Sequence, residues 1–338
     1  MNEKNKRTQS NKGKRKRAWA FLLAFALFAG MFAGVSVRTE AAKSISMRAG
    51  ERKKVSFKRK WSGSKVTWST NNKKAVTFGG TDAAGWYVYA CRPGKAKITV
   101  KEAKGSKSRK CSYNIVVKKM VFTGEEGKDA AEAAALKDIL KKAAENGMWT
   151  TSVEPDLNAR KYKWNSDGKL IKLNLRDTDI EGTIPLESFP ELQELECTAK
   201  RLTKLDVSKN KKLVSLTCWM YSIKSLTVKN MPELEHIDCY GIASELKKLD
   251  VSNNPKLRTI NCNGNTKMSS LNLINTPELS SLNCSGCNLS SLDVSQNPKL
   301  STLLCKGNKI KVLDFSNNPL MEPHGCICDK DVKIIWPK

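Results

Sequence analysis

Apolar and polar positions repeat along the second half of the chain with a spacing of 21 to 23 residues. Seven triplets consist of an apolar residue, a variable residue and then Leu or Cys, and they end at Leu175, Cys197, Cys218, Cys239, Cys262, Cys284 and Cys305. A second series lies between them and ends at Val207, Val228, Val251, Leu273, Val294 and Phe315. Both series lengthen together between residues 239 and 251, as one insertion in a repeated unit requires. The pattern predicts a row of stacked, nearly equivalent units.

Each unit contains two short extended segments. Alternate side chains of an extended segment point to opposite faces, so the first and third residues of a triplet face inward and the middle residue faces outward. A unit of this length cannot bury its own apolar face, so stacked neighbours must complete the core. Residues 168–326 are therefore predicted to form a solenoid with an inward column of cysteines, Cys197, Cys218, Cys239, Cys262, Cys284 and Cys305.

The repeat has the form LxxLxCxxNxLxxLDVSxNPxL, as in LSTLLCKGNKIKVLDFSNNPL at residues 300–320. It resembles the Cys-ladder leucine-rich repeats of internalin J-like surface proteins. The resemblance implies an exported, non-enzymatic protein that binds or adheres through its outward residues. Residues 168–192 differ, because Gly182 and Pro185 give them a plant-type pattern.

The inward cysteines are either free thiols or disulfide-linked. Neighbouring parallel strands lie about 4.8 Å apart, which suits a disulfide, but parallel Cβ directions make its torsion of about 90° hard to reach. We therefore predict free thiols. Cys284 and Cys287 have the spacing of a redox motif, yet Cys287 falls at the repeat position of Asn265 and Asn308, which favours a structural role.

The end of the repeats is irregular. Cys326 follows Cys305 by 21 residues, so it is expected to continue the cysteine column. Residues 327–338 are expected to form a C-terminal cap, in which Cys328 is a candidate for a disulfide. His324, Cys326, Cys328 and Asp329 lie close in sequence, but their spacing differs from that of zinc sites, so we predict no metal.

Residues 43–119 contain several short alternating segments separated by turn residues, which predicts a β-sandwich. The pieces VTWSTNNKKAVTF, RPGKAKITV and CSYNIVV resemble bacterial immunoglobulin-like domains of group 2. The resemblance implies an extracellular spacer or wall-proximal module without catalysis. Cys91 and Cys111 flank the last predicted hairpin, and they are either disulfide-linked or two buried thiols.

Residues 120–167 are predicted to cap the N-terminal end of the solenoid. Residues 130–146 have Leu136, Ile139 and Leu140 at helical spacing, with Asp129 as a candidate N-cap and Gly147 as a candidate stop. A repeat array exposes its core at each end, so it needs a cap there. The whole chain is thus predicted to be multidomain: an all-β immunoglobulin-like sandwich, a short helical cap and a leucine-rich-repeat solenoid.

The N-terminal 42 residues predict export. A basic patch at residues 12–17 precedes an uncharged apolar run at residues 18–37, and Ala41 and Ala42 follow. This order is typical of a cleaved signal peptide, with an uncleaved membrane anchor as the alternative. In both cases the rest of the chain is expected to be secreted or associated with the cell surface, and only an uncleaved segment would contact a membrane.

The positive charge is concentrated in one segment. The chain carries a net charge of +27, and residues 43–118 hold 20 Lys and Arg against 3 Asp and Glu, 20 − 3 = +17. This excess favours contact with anionic cell-wall polymers, with a merely soluble surface as the alternative. No nucleic-acid partner is expected for an exported chain.

The predicted ligand-binding residues point outward beside the cysteine column, and they are Trp219, Tyr240, His236, Asp238, Glu196 and Asn261. Exposed aromatic residues with polar neighbours are the usual anchors for a protein or glycan ligand, although scattered surface aromatics are also common.

With 2 His and no nucleophile–base pair in the sequence pattern, we predict a binding protein that is not an enzyme and has no cofactor. The alternatives are a structural wall spacer and a hydrolase that uses outward acids such as Glu194.

Overall fold

A computed structural model describes residues 37–39, 41–81, 85–146, 153–176, 178, 180–199, 201–241 and 244–337. The predicted signal segment lies almost wholly outside the described residues. The described residues divide into two compact units, of which the smaller contains Arg59–Thr67 and Val100–Cys111. Within the described ranges, no helix is both long and apolar enough to cross a membrane.

The first part of the described chain is built from strands. They are β1 (Val37–Thr39), β2 (Lys43–Arg48), β3 (Arg52–Val55), β4 (Lys65–Thr70), β5 (Val76–Thr81), β6 (Gly85–Ala90), β7 (Gly94–Lys104) and β8 (Lys107–Lys118). One sheet has the order β3-β6-β5, and the other has the order β1-β8-β7-β4 with β2 also paired to β8. Trp68 and Trp86 stack with ring centroids 4.7 Å apart. The immunoglobulin-like assignment of this segment stays a prediction.

The smaller unit is organised around one buried carboxylate. Glu102 in β7 is fully buried and accepts hydrogen bonds from Ser64 Oγ at 2.5 Å and from the Lys60 and Trp61 amides at 3.1 Å. Arg109 Nε donates to it at 2.6 Å. Burial alone would raise the pKa of Glu102, but these hydrogen bonds outweigh burial and lower the pKa to about 2. The ionised Glu102 carboxylate therefore holds the loop at residues 60–64 in place.

The helix α1 (Ala130–Glu145) precedes the solenoid and confirms the predicted helical segment. Asp129 is its N-cap and accepts a hydrogen bond from the Glu132 amide at 3.0 Å. The buried Glu132 in turn accepts from the Leu170 amide at 2.7 Å. Leu136 and Leu140 are fully buried and belong to the same apolar cluster as Leu170. The candidate stop Gly147 lies outside the described residues.

The predicted solenoid is confirmed, with about seven turns. Its main sheet has nine strands in spatial sequence, β9 (Tyr162–Trp164), β10 (Leu170–Leu175), β12 (Glu194–Ala199), β15 (Ser215–Met220), β17 (His236–Asp238), β19 (Thr259–Asn261), β21 (Ser281–Asn283), β22 (Thr302–Leu304) and β24 (Cys326–Ile327). Only β9 runs antiparallel to its neighbour β10 in this sheet. The other pairs are parallel and in register, so equivalent residues of successive turns lie side by side.

Segments of the second series form three short two-stranded ladders among the described residues, and one further ladder precedes them in the chain. These pair β11 (Glu181–Gly182) with β13 (Arg201–Leu202), β14 (Lys204–Asp206) with β16 (Ser225–Thr227), β18 (Lys248–Asp250) with β20 (Ser270–Asn272) and β23 (Val312–Asp314) with β25 (Lys333–Ile335). Leu205, Leu249 and Leu313 of these strands are buried. The core therefore lies between the main sheet and these ladders, as alternation in both series requires.

Two inward columns fill this core. In the first, Leu173, Leu195 and Leu216 are fully buried and lie in register. In the second, the six cysteines at 197, 218, 239, 262, 284 and 305 are at most 3% exposed and carry free thiols. Burial raises the pKa of Cys284 to about 12, so this thiol stays neutral and unreactive.

Buried asparagines satisfy the backbone where the chain turns. Asn254 Nδ2 donates to the carbonyls of Val228 at 2.8 Å and Val251 at 2.9 Å, and Asn254 Oδ1 accepts from the Met231 amide at 2.7 Å. Nδ2 of Asn210, Asn297 and Asn318 also donates to two carbonyls each, and in these three cases both carbonyls belong to the preceding turn. Each of these four side chains is 0% exposed. They link neighbouring turns through the groups that the turn leaves unpaired.

Aspartate and asparagine also end the strands of each turn. The carboxylates of Asp293 and Asp314 accept hydrogen bonds from the amides of Ser295 and Ser316, each at 2.9 Å. Hydrogen bonds from the Ser295 amide and hydroxyl lower the pKa of Asp293, and those from the Ser316 hydroxyl and amide lower the pKa of Asp314. The recurring Asp-x-Ser of the repeat is therefore a local turn device.

The final turn differs from the expectation based on spacing. Cys326 lies in register with Leu303, and Ile327 lies in register with Leu304. Cys326 therefore occupies the leucine column, and Cys328 follows at the level of Cys305. The expectation that Cys326 continues the cysteine column is wrong, because this last turn spans 23 residues and both candidate positions hold cysteine.

Cys287 occupies an asparagine position, as the sequence predicts. Asn308 Nδ2 donates to the carbonyls of Cys284 at 2.9 Å and Cys305 at 2.8 Å, and Asn265 makes the same pair of bonds in its turn. Cys287 Sγ donates to the Cys262 carbonyl at 3.4 Å instead. The substitution leaves this turn with a weaker donor at the equivalent site.

Replacing Cys287 with asparagine is expected to raise the free energy of unfolding by about 1 kcal/mol, because the amide can donate to two carbonyls where the thiol donates to one. Chemical denaturation followed by circular dichroism measures the change. Cys284→Asn is the matched control and should destabilise, since its inward column offers no such carbonyl pair. If the Cys287→Asn chain were no more stable than Cys287→Ala, this repeat position would not act as a donor to the backbone carbonyls.

Candidate functional site

The outward face of the main sheet is formed by the residues that alternate with the two buried columns. Next to the cysteine column, equivalent positions of successive turns hold Asn174, Glu196, Thr217, Asp238, Asn261, Asn283 and Leu304. All of these side chains are partly exposed. The face therefore changes in character from turn to turn while its backbone stays constant.

The first strands of the outward face carry a charged network. Lys172 Nζ lies 2.7 Å from Glu194 and 3.3 Å from Glu196. Its hydrogen bond to Glu194 is the main cause of the raised pKa of Lys172. Asn174 Nδ2 donates to Glu196 at 2.9 Å, and Arg176 Nε lies 3.2 Å from the same carboxylate. Glu196 is thus held by three neighbours from β10 and its C-terminal end.

Trp219 is joined to this network by Arg176. The indole is 37% exposed, and the guanidinium carbon of Arg176 lies 4.7 Å from the ring centroid. A cation at this distance from an indole face is attracted by the ring quadrupole. Glu196 therefore orients Arg176, and Arg176 restrains Trp219. Arg176 is not among the residues predicted from the sequence, although it has the same repeat position as Trp219.

The neighbouring predicted residues are tied to the repeat. Asp238 accepts hydrogen bonds from Asn261 Nδ2 at 3.1 Å and from the Tyr240 amide at 3.4 Å. His236 Nδ1 lies 2.9 Å from Thr259 Oγ1, one turn away. Asp238 thus ends its strand in the same way as the other repeat aspartates and also presents a carboxylate on the face.

Tyr240 follows the end of β17 and is half-buried. A side chain on Gly264 would come within 3.2 Å of the tyrosine ring, so the glycine makes room for it. The structure therefore connects Glu196 with Trp219 through Arg176, and Asp238 with Asn261 directly. Trp219 presents the larger exposed aromatic surface of the two rings.

Cys91 and Cys111, the predicted cysteine pair of the N-terminal segment, are both buried. Burial is the main cause of the raised pKa of Cys91, despite its contact with Thr77. Their linkage as a disulfide stays a prediction. In the part of the chain that the structure describes, no three or more His, Cys, Asp or Glu residues are grouped so as to hold a metal ion.

Comparisons with known proteins match parts of the chain. Residues 193–321 match the family model of Zer-1-like leucine-rich repeats. A solved structure, the functional domain of InlJ from Listeria monocytogenes that includes a cysteine ladder, matches with 23% sequence identity and a TM-score of 0.22. The match covers 47% of this chain and 44% of the Listeria chain, so it spans less than half of either. No curated protein matches the chain.

The chain thus contains a leucine-rich-repeat solenoid. Such solenoids present an extended surface of variable residues on a constant scaffold. This architecture is typical of protein binding without catalysis, and the specificity of each member depends on its own outward residues.

Proposed function

We propose that this protein is a secreted or cell-surface binding protein that recognises a protein or glycan ligand through the outward face of its main sheet. The observation that carries the proposal is the restrained, exposed Trp219, which Arg176 and Glu196 hold beside a row of polar side chains. A pre-positioned aromatic residue loses little conformational freedom on binding, so it can serve as an anchor.

The remaining parts have supporting roles in this proposal. The signal segment at residues 1–42 directs export, and the segment at residues 43–119 acts as an immunoglobulin-like spacer. The excess of 17 positive charges in residues 43–118 attracts anionic cell-wall polymers. The helical segment at residues 120–167 covers the first turns of the solenoid, which is consistent with the shared cluster of Leu136 and Leu170.

A binding array tests the proposal. The full chain is applied to immobilised glycans and surface proteins at two salt concentrations, because contacts made by exposed basic residues weaken with salt. Trp219→Ala is expected to lower affinity for the ligand at least about 30-fold, the loss of a hot-spot residue. Val312→Ala is the control, since Val312 is 48% exposed on β23, outside the main sheet.

The outcomes separate the hypotheses. Salt-resistant binding that depends on Trp219 supports recognition by the outward face. Binding that disappears at high salt and is unchanged in Trp219→Ala would contradict it and assign binding to the basic segment. An array without any ligand would favour a structural wall spacer.

A further inference from the structure

The outer face of the sheet β3-β6-β5 carries two basic side chains beside two tyrosines. Arg52 lies opposite Tyr89, and Lys54 lies opposite Tyr87 on the neighbouring strand. Directly opposed residues of antiparallel strands point to the same side of the sheet. Val88, which lies between the two tyrosines, is fully buried and therefore points to the other side. Lys54 is exposed, and Arg52 and Tyr87 are half-buried, so solvent reaches these three side chains.

Both basic side chains converge on the ring of Tyr87. The guanidinium carbon of Arg52 lies 3.7 Å from the ring centroid, and Lys54 Nζ lies 5.9 Å from it. The same guanidinium carbon is 5.9 Å from the ring centroid of Tyr89. A guanidinium in contact with an aromatic face is attracted by the ring quadrupole. Arg52 is therefore restrained on the tyrosine rings before any ligand binds.

Tyr87 is itself well supported. Gly79 of β5 lies opposite Tyr87 and is buried, although it has no side chain of its own. An aromatic side chain beside a glycine of an edge strand covers the backbone of that glycine. The ring is thus placed between the backbone of β5 and the guanidinium of Arg52. It forms a rigid base on which a cation can be held in one position.

The two neighbouring positive charges favour an anion between them. Residues two apart on a strand are about 7 Å apart on the same face, so the charged ends of Arg52 and Lys54 repel each other. The segment has few carboxylates to reduce this repulsion. Residues 43–118 hold 20 Lys and Arg but only 3 acidic residues, and one of these, Glu102, is fully buried and ion-paired with Arg109. An anionic group bound from outside supplies the missing negative charge.

We propose that Arg52 and Lys54 form a binding site for the repeated anionic groups of a cell-wall glycopolymer, with Tyr87 as the support of Arg52. This inference rests on the proposed extracellular location, and it assigns a defined site where the net charge alone gives a general attraction. The guanidinium donates a pair of hydrogen bonds to two oxygens of one phosphate or carboxylate group, and Lys54 contacts the same group as a point charge.

A polymer fits this site better than a single small anion. One exposed contact between an anion and a basic side chain is weak and is screened by salt. A chain with an anionic group in every repeat can bind at Arg52 and Lys54 and also contact other exposed basic residues of the segment. Linked contacts of this kind give a higher overall affinity than any one of them.

Affinity measurements on the full chain at two salt concentrations test the proposal. The probes are wall teichoic acid, a polymer with phosphate groups, and polygalacturonate, a polymer with carboxylate groups, and neutral dextran is the blank. Arg52→Gln combined with Lys54→Gln should lower the affinity for the bound polyanion at least about 10-fold, because the convergent cations are lost. Lys73→Gln combined with Lys74→Gln removes the same charge from an exposed turn and should lower it less than about 3-fold.

Two single variants separate the geometry of the site from its charge. Arg52→Lys keeps the charge but cannot donate a planar pair of hydrogen bonds, so it should still lower the affinity at least about 3-fold. Tyr87→Leu leaves the charge unchanged and should have an effect of the same direction, because Arg52 loses its support. Circular dichroism of each variant shows that it is folded before binding is measured.

Each outcome decides the proposal. A loss that is large in the Arg52 and Lys54 double variant, small in the Lys73 and Lys74 double variant and present in Arg52→Lys supports it. Equal losses in the two double variants would assign binding to net charge alone and overturn it. A wild-type chain that binds neither polyanion, or that binds only vesicles of phosphatidylglycerol, would also overturn it. Trp219→Ala should leave polyanion binding unchanged, so a failure of ligand recognition by the outward face is seen separately.

Discussion

Replacing Asn254 with alanine is expected to lower the free energy of unfolding by about 3–5 kcal/mol, the largest effect we expect from a single polar side chain. The substitution leaves the carbonyls of Val228 and Val251 and the amide of Met231 without their partner. All three groups are inside the solenoid, where water cannot replace the lost hydrogen bonds. Chemical denaturation followed by circular dichroism measures the loss.

The matched control for Asn254 lies two residues away. Lys256 Nζ pairs with Glu233 at 2.6 Å, but both side chains are well exposed, at 52% and 44%. Lys256→Ala is therefore expected to cost less than about 1 kcal/mol. If Asn254→Ala were no more destabilising than Lys256→Ala, buried asparagines would not be the links between turns.

Replacing Glu102 with glutamine is expected to destabilise the chain by about 2–4 kcal/mol at neutral pH. The neutral amide cannot accept hydrogen bonds from the Arg109 guanidinium, the Ser64 hydroxyl and the two backbone amides as the carboxylate does, and the buried charge pair with Arg109 is lost. The pKa of Glu102 is about 2 in the folded chain, below its ordinary value of 4.5. The ionised carboxylate therefore stabilises the fold fully at pH values above about 4.5. This contribution is lost as the pH falls from about 4.5 through about 2.

Unfolding measured from pH 7 down to pH 2 tests this account of Glu102. The difference in stability between wild type and Glu102→Gln should be constant near neutrality and should shrink as the pH falls. Glu125→Gln is the control, since Glu125 is 48% exposed and pairs with Lys137 at the surface. A difference that is independent of pH would show that the loss comes from packing and not from the charge.

The repeated part of the fold could be predicted from the sequence because one physical constraint recurs in every turn. Alternation in an extended segment allows only every second residue to be buried, so the columns headed by Leu195 and Cys197 identify the inward face. The structural role of Cys287 could be predicted from its equivalence to Asn265 and Asn308. Side chains at this repeat position donate hydrogen bonds to the same backbone carbonyls in every turn compared.

Features that occur once in the chain could not be predicted in this way. The register of Cys326 depends on where the last turn ends, and either of two cysteines satisfies the spacing of the column. Arg176 and Trp219 lie at the same repeat position two turns apart, but periodicity does not show that the Arg176 side chain reaches across the intervening turn to the indole. The buried partners of Glu102 belong to an irregular loop, which hydrophobic patterning does not describe.

The assignment of the two faces of the main sheet is tested most directly by placing one lysine at each of two consecutive residues. Cys284 is fully buried, whereas Ser285 is partly exposed, and Lys306 already occupies the position equivalent to Ser285 one turn later. Circular dichroism and thermal unfolding should show Ser285→Lys folded with a nearly unchanged unfolding temperature, and Cys284→Lys unfolded or strongly destabilised. Equal stability of the two variants would contradict a solenoid that buries its cysteine column and presents the alternate residues to a ligand.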